Sequence, residues 1–487
     1  MHSAGKLLAV VLGGITLGAC GGANSSGDIG ADDAGASSSN LDAATDGNGK
    51  LPGSGSSGGG SSSGGGASSG GGSSGSGSSS GGGASSGSGS SSGSGSSSGS
   101  GSSSGASGYA IPLAAPNGAD YEYTAQVTVG TQTFAMQIDT GSTTAAMAGA
   151  SCSGCTGITP VYAPSSSAKA TGKNGSSQYA DNSGWSGPIY ADTVGLGNGS
   201  PSVSLNVVDI TKATGGFFSS QNDYQGIFGL GPNLNAVSGT TGYIPAVVSA
   251  GVANIFAFQL CDNTGANAGT MWLGGAGSAG SSVVYTPLLP IAGNNAFYSI
   301  NVNGMSLGTT SIVSNASSTF AQPVLDTGTS LFYVPTSVFN AFQTALEGST
   351  EFKALFGSNT FATSGQAAGC VTDASVTDAQ VESMLPHLSL SLPNVTSGQP
   401  DVTIQASALD TYLNNGGNGQ YCLAIQDGGT QDASTFGDAF LQAFVSIIDV
   451  QGGRVGFAPT GCVAPAVHRV RHPLKNGPHR AHRPVQP

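Results

Sequence analysis

The sequence predicts an all-β protein built from two related halves, with only a few short helices. Between Tyr109 and Cys462, short runs of Val, Ile, Leu, Phe and Tyr are separated by Gly and Asn, as is typical of many short strands joined by tight turns. Several runs alternate apolar and polar residues. In addition, an apolar strand followed by Asp-Thr-Gly and two hydroxyl residues occurs twice.

The first copy of this arrangement follows a predicted hairpin. Residues Tyr123–Val129 alternate, Gly130-Thr131 forms a turn signal, and the apolar face of the next strand ends at Ile138. The hairpin therefore presents Asp139 at the end of a strand.

The second half repeats the pattern. Tyr298, Ile300 and Val302 alternate, Asn303-Gly304 is a hairpin turn signal, and an apolar pair leads into Asp326. Helical spacing is confined to short segments, of which the clearest are Ile244–Val248 and Val338–Leu346, with Ser337 as a cap of the second.

The charge balance limits the partners of the chain. Only 8% of the 487 residues are charged, the net charge is −13, and residues 109–462 hold 20 acidic against five basic residues. An acidic surface disfavours nucleic acid, which we do not expect as a partner. It suits a protein that stays folded in acid, because few cations remain to repel one another when carboxylates are protonated.

The first 108 residues predict export and a tether. Residues 1–20 have a basic Lys6, a short apolar run and Leu17-Gly18-Ala19-Cys20, which is similar to the lipidation signal of bacterial lipoproteins. An ordinary cleaved signal peptide is the alternative. By resemblance to bacterial sorting signals, Gly21 in place of aspartate favours the outer membrane, where the chain could face either the periplasm or the cell surface. Residues 21–108 are almost entirely Gly, Ser and Ala, which predicts a flexible tether with too little apolar surface to fold.

Residues 463–487 differ again in composition. They contain five Lys and Arg, four His and no acidic residue. One interpretation is a tail that binds surface polyanions, and the other is a solvated disordered tail.

Seven cysteines are present, and six remain if Cys20 is the anchor. An even number in an exported chain favours disulfides over a metal site, and we expect neither a metal nor a cofactor. The spacing of Cys152 and Cys155 favours a small disulfide-closed loop over free thiols. Composition and spacing alone leave the other pairings open.

Two Asp-Thr-Gly triplets after apolar strands indicate paired carboxylates, Asp139 and Asp326. Around them the chain resembles the pepsin-like aspartic endopeptidases over about 350 residues. The resemblance rests on an ordered series of segments: Asp139-Thr140-Gly141-Ser142, Gln178-Tyr179-Ala180-Asp181, Gly226-Ile227-Phe228-Gly229-Leu230-Gly231, Phe256-Ala257-Phe258-Gln259-Leu260, Asp326-Thr327-Gly328-Thr329-Ser330, Phe436-Gly437-Asp438-Ala439-Phe440 and Val455-Gly456-Phe457-Ala458.

The resemblance implies a bilobal fold, with lobes at residues 109–290 and 291–462 flanking a central cleft. It implies that Asp139 and Asp326 activate one water to hydrolyse peptide bonds at acid pH, and that the chain acts on proteins or peptides as a monomer. The supporting residues it implies are Thr140, Gly141, Ser142, Thr327, Gly328 and Thr329. It also implies the disulfides Cys261–Cys462 and Cys370–Cys422.

Tyr179 would then lie on a mobile hairpin, the flap, that closes over substrate and favours large apolar residues beside the cut. The family usually has a tryptophan seven residues after the first aspartate, where this chain has Ala146. We hypothesise that Trp185 takes its place. The alternatives to a protease are a pepsin-like binding module without catalysis and a stalk-displayed adhesin.

Overall fold

The structure, a computed structural model, describes residues 108–115, 122–180, 182–218, 224–261, 265–292, 295–314, 320, 322–361, 369–417, 419–429 and 434–462. The predicted signal segment, the predicted tether except Gly108, the proposed anchor Cys20, the basic tail and Asp181 of the flap segment lie outside these residues. No helix within the described ranges has both the length and the apolar character needed to cross a membrane.

Strands dominate the described residues, which confirms the all-β prediction. The strands of the first part of the chain are β1 (Tyr109–Ala115), β2 (Thr124–Val129), β3 (Gln132–Asp139), β4 (Ala145–Ser153), β5 (Lys169–Gln178), β6 (Gly184–Gly195), β7 (Val203–Thr214), β8 (Gly226–Gly229), β9 (Ile255–Leu260), β10 (Gly265–Leu273) and β11 (Val284–Pro287). Between β8 and β9 lie a 3₁₀ turn (Asn233–Asn235) and helix α1 (Tyr243–Ser249).

The second part has shorter strands and the remaining helices. The strands are β12 (Gly304–Leu307), β13 (Thr310–Ser314), β14 (Val324–Leu325), β15 (Phe332–Val334), β16 (Cys370–Thr372), β17 (Leu388–Leu392), β18 (Val402–Ala406), β19 (Leu413–Gly417), β20 (Gln420–Leu423), β21 (Ile425–Asp427), β22 (Thr435–Phe436), β23 (Phe444–Asp449) and β24 (Arg454–Pro459). The helices are α2 (Thr336–Gly348), α3 (Thr350–Phe356), α4 (Asp378–Met384), α5 (Ala408–Thr411) and α6 (Asp438–Leu441).

One large sheet links the two β-rich lobes. Its order is β11-β24-β23-β9-β10-β1-β2-β3-β8-β4-β7-β6-β5, and three smaller sheets contain β12–β22. The last strands of the chain, β23 and β24, pair with β9 and β11 from the middle of the chain. The two lobes are thus joined by a shared sheet as well as by the covalent chain.

Each lobe carries one aspartate at the end of a strand that runs parallel to a later strand. In the first lobe β3 pairs with β8, which brings Asp139 beside Gly229. In the second lobe β14 pairs in the same sense with β22, and the amide of Asp326 donates to the carbonyl of Phe436. This repetition is the structural counterpart of the repeated sequence pattern.

The first predicted hairpin is confirmed. Strands β2 and β3 pair with Val129 opposite Gln132, so that Gly130-Thr131 forms the turn, with Gly130 at a φ of 60°. The inward residues Phe134, Met136 and Ile138 are fully buried. Their burial fixes the register that carries Asp139 into the interior.

The turn predicted at Asn303-Gly304 is wrong. The chain runs straight through this pair into β12, and the two-residue turn of the β12–β13 hairpin falls at Gly308-Thr309. The amide of Asn303 donates to the carbonyl of Ser391, so Asn303 is held extended beside a neighbouring strand. Residues 298–302 do not form a full strand, and within them Ser299 makes an isolated bridge to Val324.

Both predicted helices are present, as α1 and α2, but Ser337 does not cap α2. The helix begins at Thr336 with Pro335 as its N-cap, because the fixed φ of proline already suits the entry to a helix. Thr336 donates its hydroxyl to Asp427.

Three disulfides join the six cysteines in the pairs that the sequence and the resemblance indicate: Cys152–Cys155, Cys261–Cys462 and Cys370–Cys422. The second connects the end of β9 to the end of β24. The third connects directly opposed residues of β16 and β20.

Candidate active site

The two aspartates of the repeated motif lie at the centre of the fold. Asp139 and Asp326 are both fully buried, together with Thr140 and Thr327 that follow them. Burying a carboxyl group is unfavourable unless hydrogen bonds compensate for the lost water. Each carboxyl therefore depends on its own loop for partners.

In the first loop, the amides of Gly141 and Ser142 donate to Asp139 Oδ1 at 2.7 Å and 3.1 Å. The hydroxyl of Ser142 donates to the other oxygen, Oδ2, at 2.5 Å. Both oxygens of Asp139 thus have donors from its own loop.

The second loop repeats these contacts. The amide of Gly328 donates to Asp326 Oδ1 at 2.8 Å, and the hydroxyl of Thr329 donates to Oδ2 at 2.7 Å. The glycine and hydroxyl residues that the resemblance assigned to support of the aspartates therefore lie where they contact them.

The two loops are cross-linked by the threonines. Thr140 donates its hydroxyl to the carbonyl of Leu325 at 2.8 Å, and accepts from the amide of Thr327 at 3.0 Å. Thr327 donates its hydroxyl to the carbonyl of Ile138 at 3.0 Å, and accepts from the amide of Thr140 at 3.1 Å. This reciprocal set of four hydrogen bonds fixes the distance between the loops.

Close approach of the loops requires glycine after Thr140. A Cβ atom on Gly141 would lie 2.5 Å from the carboxyl atoms of Asp326, a distance that side-chain carbons do not tolerate. The carboxyl of Asp326 therefore packs directly on the backbone of the loop that holds Asp139.

The two carboxyl groups interact electrostatically. Burial raises the pKa of Asp139 well above its usual range, and the charge of Asp326 and a side-chain hydrogen bond to it raise it further. The hydrogen bonds from Ser142 and Gly141 act in the opposite direction and favour the ionised form. Burial and the neighbouring carboxyl therefore both favour the protonated form of Asp139.

A third buried carboxyl, Asp438, lies near this pair and was not predicted. It begins α6 in the segment that follows Gly437, and its amide donates to the carbonyl of Thr329. Neither of its carboxyl oxygens has a hydrogen-bond partner among the described residues. Burial raises the pKa of Asp438 well above its usual range, and the charges of Asp326, Glu122 and Asp139 add to the effect. A sequence signal existed, because Asp438 belongs to one of the segments that carry the resemblance.

Strands β5 and β6 form the flap hairpin. Tyr179 follows β5, is buried, and stacks on Phe217 with ring centroids 5.7 Å apart. Burial raises the pKa of Tyr179, and the charge of Asp139 raises it further, which puts the phenol within electrostatic reach of that aspartate. Tyr179 and Ser142 of the first aspartate loop line a common cavity.

Trp185 contacts the flap tyrosine directly. Its indole Nε1 donates to the phenol oxygen of Tyr179 at 2.8 Å, and both side chains share one apolar cluster with Ala146. Trp185 thus lies in the cluster that also contains the position where the family usually has tryptophan. This geometry accords with the hypothesis that Trp185 takes over that packing role.

A cavity of about 980 Å³ opens between the flap and the first aspartate loop. Ser142 and Thr143 of that loop, Tyr179 and Trp185 of the flap, and the 3₁₀ turn line it. Asn235 in this turn donates to the carbonyl of Gly141 at 3.1 Å, so the cavity wall is joined to the aspartate loop. The cavity is large enough for several side chains of an extended peptide.

Two lobes that each contribute a buried aspartate to a cleft under a hairpin define the class of the aspartic hydrolases. The comparisons with known proteins agree. A family model described as eukaryotic aspartyl protease matches residues 122–460. The chain therefore belongs to the pepsin-like aspartic protease family, and its class of enzyme is the aspartic-type endopeptidase.

Fungal enzymes of moderate identity are among the curated relatives. An aspartic protease of Phaffia rhodozyma is 29% identical over 349 residues, which cover 70% of this chain and 77% of the relative. Aspergillopepsin-1 of Aspergillus pseudoglaucus is 28% identical over 350 residues, with 70% and 80% covered. Rhizopuspepsin-2 of Rhizopus niveus is 31% identical over 229 residues, with 46% and 56% covered.

Proposed function

We propose that the chain hydrolyses internal peptide bonds at acid pH through one water held between Asp139 and Asp326. The observation that carries this proposal is the reciprocal hydrogen bonding of the two aspartate loops, which holds two buried carboxyl groups next to each other. The class of substrate is protein or peptide, as family membership indicates.

Amide hydrolysis needs a base and an acid at the same time. One carboxylate accepts a proton from the water as its oxygen attacks the carbonyl carbon, while the other carboxyl, still protonated, donates to the carbonyl oxygen. The tetrahedral intermediate then collapses when the leaving nitrogen is protonated. Two adjacent like charges cannot both form readily, so the pair holds one proton over a range of acid pH.

Burial and the neighbouring Asp326 raise the pKa of Asp139, as expected for a carboxyl that shares one proton with its partner. The two titrations belong to the pair, and the proton moves between the carboxyls during the cycle. Ser142 and Thr329 hold the carboxyls in orientation, and the flap excludes water from the site. Activity should therefore fall on both sides of an acid optimum.

We also propose a preference for large apolar residues beside the cut bond. Phe217, Phe218 and Tyr224 pack in one cluster with the flap residues Tyr179 and Trp185, so aromatic rings back the flap. Transfer of a Phe or Leu side chain from water to such a wall is favourable by about 1.5–3 kcal/mol.

Incubation with denatured haemoglobin between pH 3 and pH 5, with and without pepstatin, tests the proposal. We expect cleavage that pepstatin abolishes and that the Asp326→Asn variant lacks, although this variant should still fold. Intact haemoglobin at every pH would instead support a pepsin-like binding module. Cleavage that survives in Asp326→Asn would overturn the mechanism.

We further propose, from the sequence signals alone, that the chain is exported, lipidated at Cys20 and anchored to the outer membrane or cell surface as a monomer. The domain limits given above belong to this proposal. Membrane fractionation of the wild type and of Cys20→Ala, followed by a protease-accessibility assay, tests it. The wild type should sediment with membranes and the variant should not.

A further inference from the structure

The cavity between the flap and the first aspartate loop contains one charged side chain among the described residues that line it, Lys212 of β7. The other lining residues are small, hydroxyl-bearing, amide-bearing or apolar, and none is acidic. A lysine at this place is unusual, because the region 109–462 contains only five basic residues against 20 acidic ones.

The side chain of Lys212 does not stabilise the described fold through polar contacts. Within the described ranges the ion pair joins Arg454 to Asp449, and the ammonium group of Lys212 forms neither an ion pair nor a hydrogen bond there. Its side chain is exposed to the cavity opening. An ammonium group that stabilises nothing in the protein is available to a ligand.

The sheet register surrounds this ammonium with hydrogen-bond donors. Ser176 of β5 pairs with Ser186 of β6, and Ser186 pairs with Lys212 of β7. Directly opposed residues of antiparallel strands extend to the same side of a sheet, so two hydroxyls and one ammonium form a row. All three residues line the cavity. Such a row complements a carboxylate, which accepts from both kinds of donor.

An apolar surface lies in the same cavity. Leu234 of the 3₁₀ turn lines it and is 56% exposed, although a large apolar side chain is usually covered. Methylene groups of a bound side chain would cover Leu234 while the terminal carboxylate reaches Lys212. A glutamate side chain has both the methylene groups and the terminal carboxylate that this arrangement needs.

We propose that this cavity is a subsite that selects substrates with an acidic side chain, glutamate above all, through Lys212. The inference rests on the proposed peptidase function and specifies its substrates. The selection is dependent on pH, because a glutamate side chain ionises near pH 4.3 and only its charged form attracts an ammonium. The preference for glutamate should therefore be present at pH 5 and absent at pH 3.

The test uses pairs of fluorogenic peptides that differ only by Glu or Gln, with the substitution placed in turn at each position on both sides of the cleaved bond. At one position we expect kcat/KM of the wild type to favour Glu by about three- to fivefold at pH 5, the effect of a partly exposed ion pair. The ratio should approach one at pH 3, and at pH 5 it should decrease with added salt.

In Lys212→Gln the ratio should approach one at both pH values. Lys173→Gln is the matched control, since Lys173 is on the flap strand β5 but does not line the cavity, and this variant should keep the wild-type ratio. A wild type without a Glu preference at any position, or a preference that persists in Lys212→Gln, overturns the proposal.

Affinities of the same peptides for Asp326→Asn, measured by fluorescence anisotropy, separate this inference from the proposed function. One result is that the wild type cleaves no peptide, but Asp326→Asn binds Glu peptides more tightly than Gln peptides and Lys212→Gln/Asp326→Asn does not. In that case the peptidase proposal fails and the acidic subsite stands. If Gln peptides are cleaved and Glu peptides gain nothing, the peptidase proposal stands and the subsite fails.

Discussion

The cross-link between the two aspartate loops gives the most direct test of the structure. In Thr327→Val the side chain keeps its size but loses its hydroxyl. The amide of Thr140 and the carbonyl of Ile138 then lose the partners that they contact at 3.1 Å and 3.0 Å. Both groups lie in the buried centre of the molecule, where water cannot replace the hydroxyl.

A buried polar group without a partner costs about 1–3 kcal/mol, so two such groups give a loss of about 2–6 kcal/mol in the free energy of unfolding. Thr140→Val should lose a similar amount, because its hydroxyl contacts the equivalent pair of groups in the other loop, at 2.8 Å and 3.0 Å. Because the hydrogen bonds between the loops are reciprocal, we expect the two variants to lose nearly the same free energy of unfolding.

Urea unfolding followed by tryptophan fluorescence measures both losses, with Thr128→Val as the control. Thr128 is exposed on β2, and its hydroxyl contacts only another exposed threonine, so this change should alter stability by less than about 0.5 kcal/mol. We also expect kcat to fall in both buried variants, since the carboxyls lose their fixed separation. A buried variant as stable as Thr128→Val would refute the reasoning.

Three further predictions concern the flap and two buried carboxyls. Trp185→Phe removes the 2.8 Å hydrogen bond to Tyr179 and should lower kcat/KM by about three- to tenfold, the value of one hydrogen bond; unchanged kinetics would exclude a role for the indole in holding the flap. Burial raises the pKa of Asp438 in the fold above its unfolded value, so its contribution to stability is present in acid and is lost as the pH rises. Asp438→Asn should therefore be more stable than the wild type at pH 7 but not at pH 3, and thermal unfolding that differs equally at both pH values would contradict this. Burial also raises the pKa of Asp209 to about 6, so the wild type should lose stability relative to Asp209→Asn between about pH 4 and pH 6, by about 1 kcal/mol after screening, as urea titrations at several pH values would measure.

The sequence was sufficient for the centre of the site because the constraints there are local. Asp139 and Asp326 each end an apolar strand and precede a glycine and a hydroxyl residue, and these neighbours supply the hydrogen bonds that a buried carboxylate needs. The hairpin before Asp139 could likewise be predicted, because alternation and a glycine turn fix its register.

Features that depend on distant segments could not be predicted in this way. Asn303-Gly304 has the composition of a turn, yet a hydrogen bond to Ser391 keeps the chain extended. Asp438 lies far along the sequence from the aspartates whose charges raise its pKa, and Lys212 faces a cavity only because β7 pairs with β6. In each case the contact that matters depends on how distant segments pair in the fold, and a short stretch of sequence does not show this.

The disulfide between Cys261 and Cys462 determines what happens when the protease cleaves its own chain. This bond closes a covalent ring that contains every residue from the end of β9 to the end of β24. A single self-inflicted cut anywhere inside the ring opens it without releasing a fragment. Nicked molecules would therefore migrate as one band on a non-reducing gel and as two after reduction, and they would keep both aspartates in one particle.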